Sequence, residues 1–139
     1  MVLLFGYTYC PDVCPTMLVD MAAAMKTLGK DAGRVQVLFV TVDPERDTRE
    51  VLAQYVAAFD PRFLGLYGDL AATERTAKEF KIFYEKRPGS TPSAYSVDHS
   101  AQSYVFDDQG KLRLFARHDR IAADLAHDLR TLLNSAAVP

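Results

Sequence analysis

Two cysteines spaced four residues apart are the residues whose type and spacing could do chemistry in this chain. Cys10 and Cys14 follow an apolar run that ends at Gly6, and Pro15 comes directly after the second cysteine. If the residues between them take a helix-like turn, both sulfurs can face one site, and the adjacent helix N-terminus favours thiolate over thiol. This spacing is wider than the redox spacing of thioredoxins and leaves room for an ion, and soft thiolates select Cu(I). The alternative is that both cysteines are buried small apolar residues, but prolines beside them at a strand-to-helix turn make that packing role a poor fit.

A histidine is the natural third ligand, and the chain has three histidines. His118 and His127 lie near or on the exposed side of the last predicted helix, where histidine is an ordinary surface residue. His99 directly precedes a strand predicted to begin at Ser100. In an α/β fold of this order that point lies beside the carboxyl end of the first strand, where the cysteines are. We therefore expect His99 to be the third ligand, as a neutral imidazole suited to copper.

Alternating strands and helices must position these residues. Apolar runs predict strands over Val2 to Phe5 and Val35 to Val42, and helical spacing predicts a helix over about 15 to 28. Asp47 or Thr48 can cap a second helix. The remaining predicted elements are a strand over Phe63 to Tyr67, a helix over about Ala71 to Phe80, strands over Gln102 to Phe106 and Lys111 to Ala116, and a closing amphipathic helix with Ile121, Leu125, Leu129, Leu132 and Leu133.

This order predicts an α/β fold in which helices cover both faces of a central mixed sheet. Between about residues 82 and 97 the chain carries proline, glycine and serine between aromatic flanks, which is typical of an inserted hairpin or loop. No repeat or linker interrupts the pattern, so we expect a single domain over residues 1 to 139.

The composition narrows the classes of function. The net charge of -2 and the scattered lysines and arginines offer no basic stripe, which excludes nucleic acid as a partner. A chain of 139 residues needs no metal to hold its core, so a bound metal is expected to be functional. The apolar run Met1 to Phe5 is far too short to span a membrane. Because a strand begins so abruptly at Met1, we expect a truncated chain or a misplaced start.

Three separated motifs carry a family resemblance. The segments GYTYCPDVCP (residues 6 to 15), VDPERDT (42 to 48) and VDHS (97 to 100) together resemble the Sco/SenC family. The resemblance runs from Val2 to Leu133 and lacks the family's N-terminal membrane anchor, linker and opening hairpin. It implies a thioredoxin-like fold and one copper ion, Cu(I) or Cu(II), bound by Cys10, Cys14 and His99. The cysteines would also form a redox-active disulfide pair.

The resemblance further implies a metallochaperone for the binuclear copper centre of cytochrome c oxidase. The expected partner is the oxidase subunit that holds this centre, with a copper donor chaperone and a thioredoxin-like reductant as further partners. The expected location is the periplasmic side of a bacterial inner membrane, with membrane contact only through the missing anchor. Asp43 matches an acidic position beside the copper site, with a turn residue before Pro44 as the alternative. Asp98 and Asp12 could orient His99 or tune its basicity, although exposed turn carboxylates are the more ordinary interpretation.

A group of aromatic residues surrounds these motifs and could line a dry pocket or a docking face. Ordinary core packing is the favoured interpretation. The group comprises Tyr7, Tyr9, Phe83, Tyr84 and Tyr95.

Two enzyme classes compete with a copper protein. A thiol-disulfide oxidoreductase would use the same cysteine pair as a nucleophile, but thioredoxin-like reductases resemble one another in having a proline where this chain has Val97 to Ser100. A peroxidase would use one thiolate, but the peroxiredoxin pattern around the cysteine is absent and the chain has no tryptophan. We therefore expect a metallochaperone rather than an enzyme, with reductase activity as the alternative.

Overall fold

A computed structural model describes residues 1–8, 13–80, 84–87, 96–99, 102–117 and 120–136, with the backbone alone at residues 13, 14, 84–87, 96–99, 102, 135 and 136. The apolar runs of the first half form parallel strands, β1 (Val2–Gly6), β2 (Val37–Thr41) and β3 (Leu64–Leu66). Every residue of β1 is buried. A continuous apolar strand of this kind is expected at the centre of a sheet whose two faces are both covered.

The second half of the chain completes the sheet with an antiparallel pair, β6 (Gln102–Phe106) and β7 (Leu112–Arg117). Strand β6 pairs with β1, so the five-stranded order is β3-β2-β1-β6-β7. The turn between β6 and β7 is held by Asp107, whose Oδ1 accepts hydrogen bonds from the backbone N–H groups of Gln109 and Lys111, both at 2.9 Å. Gly110 takes a φ of 77° there, a value that favours glycine.

In the described part of the chain, four α-helices cover the sheet: α1 (Val13–Leu28), α2 (Arg49–Ala57), α3 (Leu70–Glu79) and α4 (Ala126–Ala136). Helix α1 runs into a 3-10 segment, Gly29–Arg34, and α4 follows directly from a π-helical turn, Ile121–Leu125. Among the described residues, no helix is long and apolar enough to cross a bilayer.

The helices lie on both faces of the sheet. Right-handed crossovers place α1 and α2 on the same face, because both connect neighbouring parallel strands in the same direction along the sheet. On that face Tyr55 of α2 packs on Phe39 of β2, with ring centroids 5.9 Å apart, and α4 contacts α1. On the opposite face, Phe80 at the end of α3 lies 5.6 Å from the Phe5 ring. This arrangement confirms the α/β fold with a mixed sheet covered on both sides.

The insertion predicted over about 82 to 97 contains a hairpin. Strand β4 (Tyr84–Arg87) pairs antiparallel with β5 (Ser96–His99), and the two form a separate two-stranded sheet. The hairpin therefore extends two residues beyond the predicted boundary, because His99 pairs with Tyr84 across it. The connecting residues 88–95 lie outside the described residues.

Candidate metal centre

Two of the three motifs include or follow strand ends at one edge of the central sheet, and the third precedes in sequence a strand that begins there. Gly6 ends β1 and is paired in register with Thr41, which ends the parallel strand β2. Strand β6 begins at Gln102 on the same side, because its antiparallel register pairs Ser103 with Leu4. We call this side of the sheet, marked by Gly6, Thr41 and Gln102, the carboxyl edge. Ligands of α/β proteins bind preferentially at such an edge.

The cysteine motif follows the carboxyl edge directly in sequence. Cys14 is the second residue of helix α1, where the structure describes its backbone. Pro15 is the third residue of that helix, in the first turn as predicted, where a missing N–H costs no hydrogen bond. Cys10 and Asp12 lie outside the described residues. The two cysteines therefore belong to the connection between β1 and the start of α1.

The histidine motif ends the hairpin and comes just before strand β6 in sequence. Asp98 and His99 are the last two residues of β5, and the backbone of Asp98 pairs with Glu85. Strand β5 ends three residues before β6 begins at Gln102. No side chain is described at Cys14 or His99, and Cys10 lies outside the described residues, so copper ligation by these three residues stays a prediction.

The other two histidines differ in how far the structure describes them. His127 lies on α4 and is exposed, as its surface assignment predicts. His118 lies outside the described residues.

Asp43 follows β2 and is both a turn residue and a buried carboxylate, only 3% exposed. Its backbone carbonyl accepts hydrogen bonds from the N–H groups of Arg46 and Asp47, at 3.3 and 3.0 Å, which closes a turn. Its Oδ2 accepts a hydrogen bond from Nε of Arg46 at 2.5 Å. The turn interpretation is confirmed for the backbone, but a simple turn residue would expose its side chain, so the buried ion pair adds a second role.

Arg46, the ion-pair partner of Asp43, also contacts Tyr7, one of the aromatic residues that surround the motifs. Its guanidinium carbon lies 5.8 Å from the centroid of the Tyr7 ring, within the range of a cation–π contact. Tyr7 is buried in the core, which agrees with the ordinary packing expected for these aromatics. Tyr9, Phe83 and Tyr95 lie outside the described residues, and Tyr84 is described only by its backbone.

Asp47 is the residue of this edge that sequence reasoning missed. The sequence indicates Asp47 only as an alternative cap for α2, but Thr48 is the cap, and its hydroxyl accepts a hydrogen bond from the N–H of Val51 at 3.3 Å. The side chain of Asp47 is completely buried instead and accepts hydrogen bonds from Thr8 and Thr41. The signal in the sequence is a pair of threonines, Thr8 two residues after the first apolar strand and Thr41 at the end of the second.

The described side chains at this edge do not by themselves form a cage for a metal. In the part of the chain that the structure describes, no three histidine, cysteine or acidic groups come together to hold a metal. A cavity of about 230 Å³, lined by Met1, Arg34 and Leu133 among others, lies at the opposite edge of the sheet. A chelate of thiolates and an imidazole requires no deep cavity.

Comparison with known proteins shows which family and which curated proteins the chain is similar to. The SCO1/SenC family matches residues 1–134. The chain is 35% identical over 130 residues to the mitochondrial SCO2 homolog of Bos taurus, covering 92% of this chain and 49% of that protein. It is 34% identical over 132 residues to the human mitochondrial SCO1 homolog, covering 91% of this chain and 44% of that protein. The chain thus spans about half the length of these curated relatives.

Solved structures of Sco proteins have the same fold as this chain. Copper-bound ScoI from Bradyrhizobium japonicum superposes with a TM-score of 0.86 at 36% identity, covering 94% of this chain and 83% of that one. Apo Sco1 from Thermus thermophilus gives a TM-score of 0.83 at 44% identity, covering 94% and 77%. The fold is thioredoxin-like, as predicted, and the chain belongs to the SCO1/SenC family.

Proposed function

We propose that this chain binds one copper ion through Cys10, Cys14 and His99 and passes it on during assembly of cytochrome c oxidase. The observation that carries the proposal is the family match over residues 1–134, together with relatives solved with copper bound. The recipient would be the oxidase subunit that holds the binuclear copper centre.

The donor set suits copper. Two thiolates and one imidazole are soft and borderline ligands, which favour Cu(I) and are also used for Cu(II). Cys14 is the second residue of a 16-residue helix, whose N-terminus favours the thiolate form. Zinc should bind second best, because a structural zinc site requires a fourth protein ligand.

Three carboxylates are proposed to tune the metal without binding it. Asp43 is buried at the end of β2, at the same edge that receives the cysteine segment. Asp98 and Asp12 are neighbours in sequence of His99 and of the cysteines, and could orient them by hydrogen bonds. Removing such outer partners typically reduces metal affinity ~10- to 100-fold.

A competition titration with a Cu(I) chelator tests the ligand set. Cys10→Ser, Cys14→Ser and His99→Ala should each weaken Cu(I) binding strongly, because each removes a ligand. His127→Ala is the matched control, since His127 is exposed on α4 and should leave the affinity unchanged. Near-native affinity in all three ligand variants would refute the site.

A thiol-disulfide oxidoreductase is the second candidate. It is supported by BsSco, a Sco family member described as containing a disulfide switch, which superposes with a TM-score of 0.67 at 25% identity over 99% of this chain and 79% of that one. Reduction of a partner disulfide requires both cysteines but no imidazole ligand. If the His99→Ala variant still reduces the oxidase subunit and the oxidase still receives its copper, a reductase is a better assignment than a copper chaperone.

The setting of the protein is also a proposal. We place it on the periplasmic side of a bacterial inner membrane, held there by a segment outside this sequence, with a copper donor chaperone and a thioredoxin-like reductant as further partners. The 139 residues would form one domain, which predicts a single cooperative unfolding transition.

Gene deletion tests the delivery role. The deletion strain should show less oxidase activity and less oxidase copper at limiting copper. An anchored wild-type copy should restore both, and an anchored His99→Ala copy should not. Fully metallated oxidase in the deletion strain would contradict delivery and favour a reductase or copper-sensing role.

A further inference from the structure

We propose that Asp47 is a positioning residue that holds the entry to the cysteine motif against the end of strand β2. The proposal rests on the proposed function, because it concerns the geometry of Cys10 and Cys14. The observation behind it is independent of copper: Asp47 is a completely buried carboxylate, and its partners among the described residues come from the carboxyl edge.

The contacts of Asp47 divide between two strand ends. Its Oδ2 accepts hydrogen bonds from the backbone N–H of Thr8 at 3.0 Å and from the hydroxyl of Thr41 at 2.6 Å. Its Oδ1 accepts a hydrogen bond from the hydroxyl of Thr8 at 2.5 Å. Such charge-assisted hydrogen bonds are short and strong, and their loss leaves buried donors unsatisfied.

The position of Thr8 makes this network relevant to the site. Thr8 lies two residues after β1 and two residues before Cys10. Asp47 holds it through both its backbone and its side chain, so the contact fixes the orientation of the peptide that leads into the motif. The other end of the motif begins helix α1, so both sides of residues 9–12 are anchored in regular or buried structure.

The same carboxylate connects this entry to Asp43. The hydroxyl of Thr41 donates to Asp47 and accepts a hydrogen bond from the backbone N–H of Asp43 at 3.0 Å. The backbone N–H of Asp47 donates to the carbonyl of Asp43, also at 3.0 Å. The start of the cysteine motif and the Asp43 turn are therefore held in one hydrogen-bonded unit.

The choice of variants follows from the donor pattern. Asp47→Ala removes all three side-chain acceptor contacts. Asp47→Asn can keep its oxygen toward the Thr8 N–H and turn its NH2 to the Thr8 hydroxyl, which can accept instead. Thr8→Val removes only the hydroxyl contact. We therefore expect the order of effects Asp47→Ala, then Thr8→Val, with Asp47→Asn closest to wild type.

The matched control is Asp60, another buried carboxylate, which lies at the opposite edge of the sheet. It follows α2 and accepts hydrogen bonds from the N–H, Nε and Nη2 of Arg62 at 2.8, 3.0 and 2.8 Å. Asp60→Ala should lower global stability without touching the cysteine motif.

The experiment measures two properties of the reduced protein under conditions where each variant is folded by circular dichroism. The first is the rate at which iodoacetamide alkylates Cys10 and Cys14 without metal, followed by mass spectrometry. The second is Cu(I) affinity from chelator competition. We expect Asp47→Ala to accelerate alkylation of Cys10 and to weaken Cu(I) binding by about tenfold or more, the factor that corresponds to losing a charge-assisted hydrogen bond.

The outcomes separate this proposal from the proposed function. If Asp47→Ala and Thr8→Val match Asp60→Ala in both measurements, Asp47 only stabilises the fold and the proposal is overturned. If Asp47→Ala does not fold, Thr8→Val decides, with a change of about threefold or more expected from the loss of one hydrogen bond. If the wild type binds no copper, the proposed function fails, while the alkylation rates still test Asp47.

Discussion

Asp43 and Arg46 form an ion pair that is mostly withdrawn from water. The two side chains are 3% and 12% exposed, and Nε of Arg46 donates to Oδ2 of Asp43 at 2.5 Å. Removing one partner of a buried pair leaves the other charge in a medium of low polarity. We predict that Arg46→Met lowers the free energy of unfolding by about 2–4 kcal/mol, measured by urea denaturation.

Two comparisons make this prediction specific. The double variant Asp43→Asn with Arg46→Met should recover part of the loss, because it removes the stranded charge as well. Arg62→Met breaks a pair whose arginine is 50% exposed, so it should cost less stability than Arg46→Met. Equal losses in Arg46→Met and Arg62→Met would show that the Asp43 pair behaves as a surface contact.

Gly65 allows helix α2 to approach strand β3. A Cβ added at Gly65 would lie 2.9 Å from the Cβ of Leu52, which is itself completely buried. Because neither backbone can move freely, we predict that Gly65→Ala lowers the free energy of unfolding by about 1–3 kcal/mol, the usual cost of overpacking. Gly33→Ala is the control, since nothing lies within 4 Å of the added Cβ and its φ is not in the left-handed region. A neutral Gly65→Ala would mean that α2 and β3 can separate without cost.

The regular elements could be predicted because their cues are local. The apolar run of β1, the proline at the start of α1 and the Asp107 to Gly110 turn each depend on residues close in sequence. His99 was predicted to lie just outside a main-sheet strand, but it ends a separate hairpin strand, because cross-strand pairing with Tyr84 is a contact over 15 positions.

The Asp47 network could not be predicted for a similar reason. Aspartate and threonine are both good N-terminal caps of a helix. Asp47 and Thr48 are adjacent, so local sequence cannot decide which of them caps α2. In the structure Thr48 caps the helix, and the side chain of Asp47 is hydrogen-bonded to Thr8, which is 39 positions away in sequence. Nothing in the spacing of residues 8, 41 and 47 indicates that the ends of β1 and β2 are neighbours until the parallel register is known.

Asp60 makes the stability of the protein depend on pH. The hydrogen bond from the Arg62 side chain holds the pKa of Asp60 below its ordinary value of 3.8. The ionised carboxylate therefore favours the folded state above that ordinary pKa, and this contribution is lost as the pH falls through the lower pKa of the folded state. We predict that wild-type stability falls below about pH 4 more steeply than that of Asp60→Asn, which has no proton to take up at this position.

Thermal unfolding between pH 2 and pH 7 measures this difference. At neutral pH the variant should be the less stable protein, because it lacks the charge-assisted bonds, and the two curves should converge in acid. Parallel curves over the whole range would show that Arg62 does not favour the ionised form of Asp60.

Copper binding should depend on the redox state of the cysteine pair. Oxidation removes two electrons and two protons from the thiols of Cys10 and Cys14 and joins the sulfurs, and a disulfide presents no thiolate to a metal. His99 alone is a weak site for Cu(I), which prefers sulfur ligands. We predict that the reduced protein takes up about one copper per chain and that the oxidised protein takes up almost none, with uptake restored by a mild disulfide reductant. The measurement is copper per chain after gel filtration, with free thiols counted in the same samples.

Cys10→Ser is the control, because it cannot form the pair's disulfide and its residual binding should be the same with or without reductant. Equal copper uptake by the reduced and oxidised wild-type protein would mean that the two cysteines are not the ligands. Copper uptake that follows the thiol count would mean that copper binding depends on the reductant that keeps the two thiols reduced.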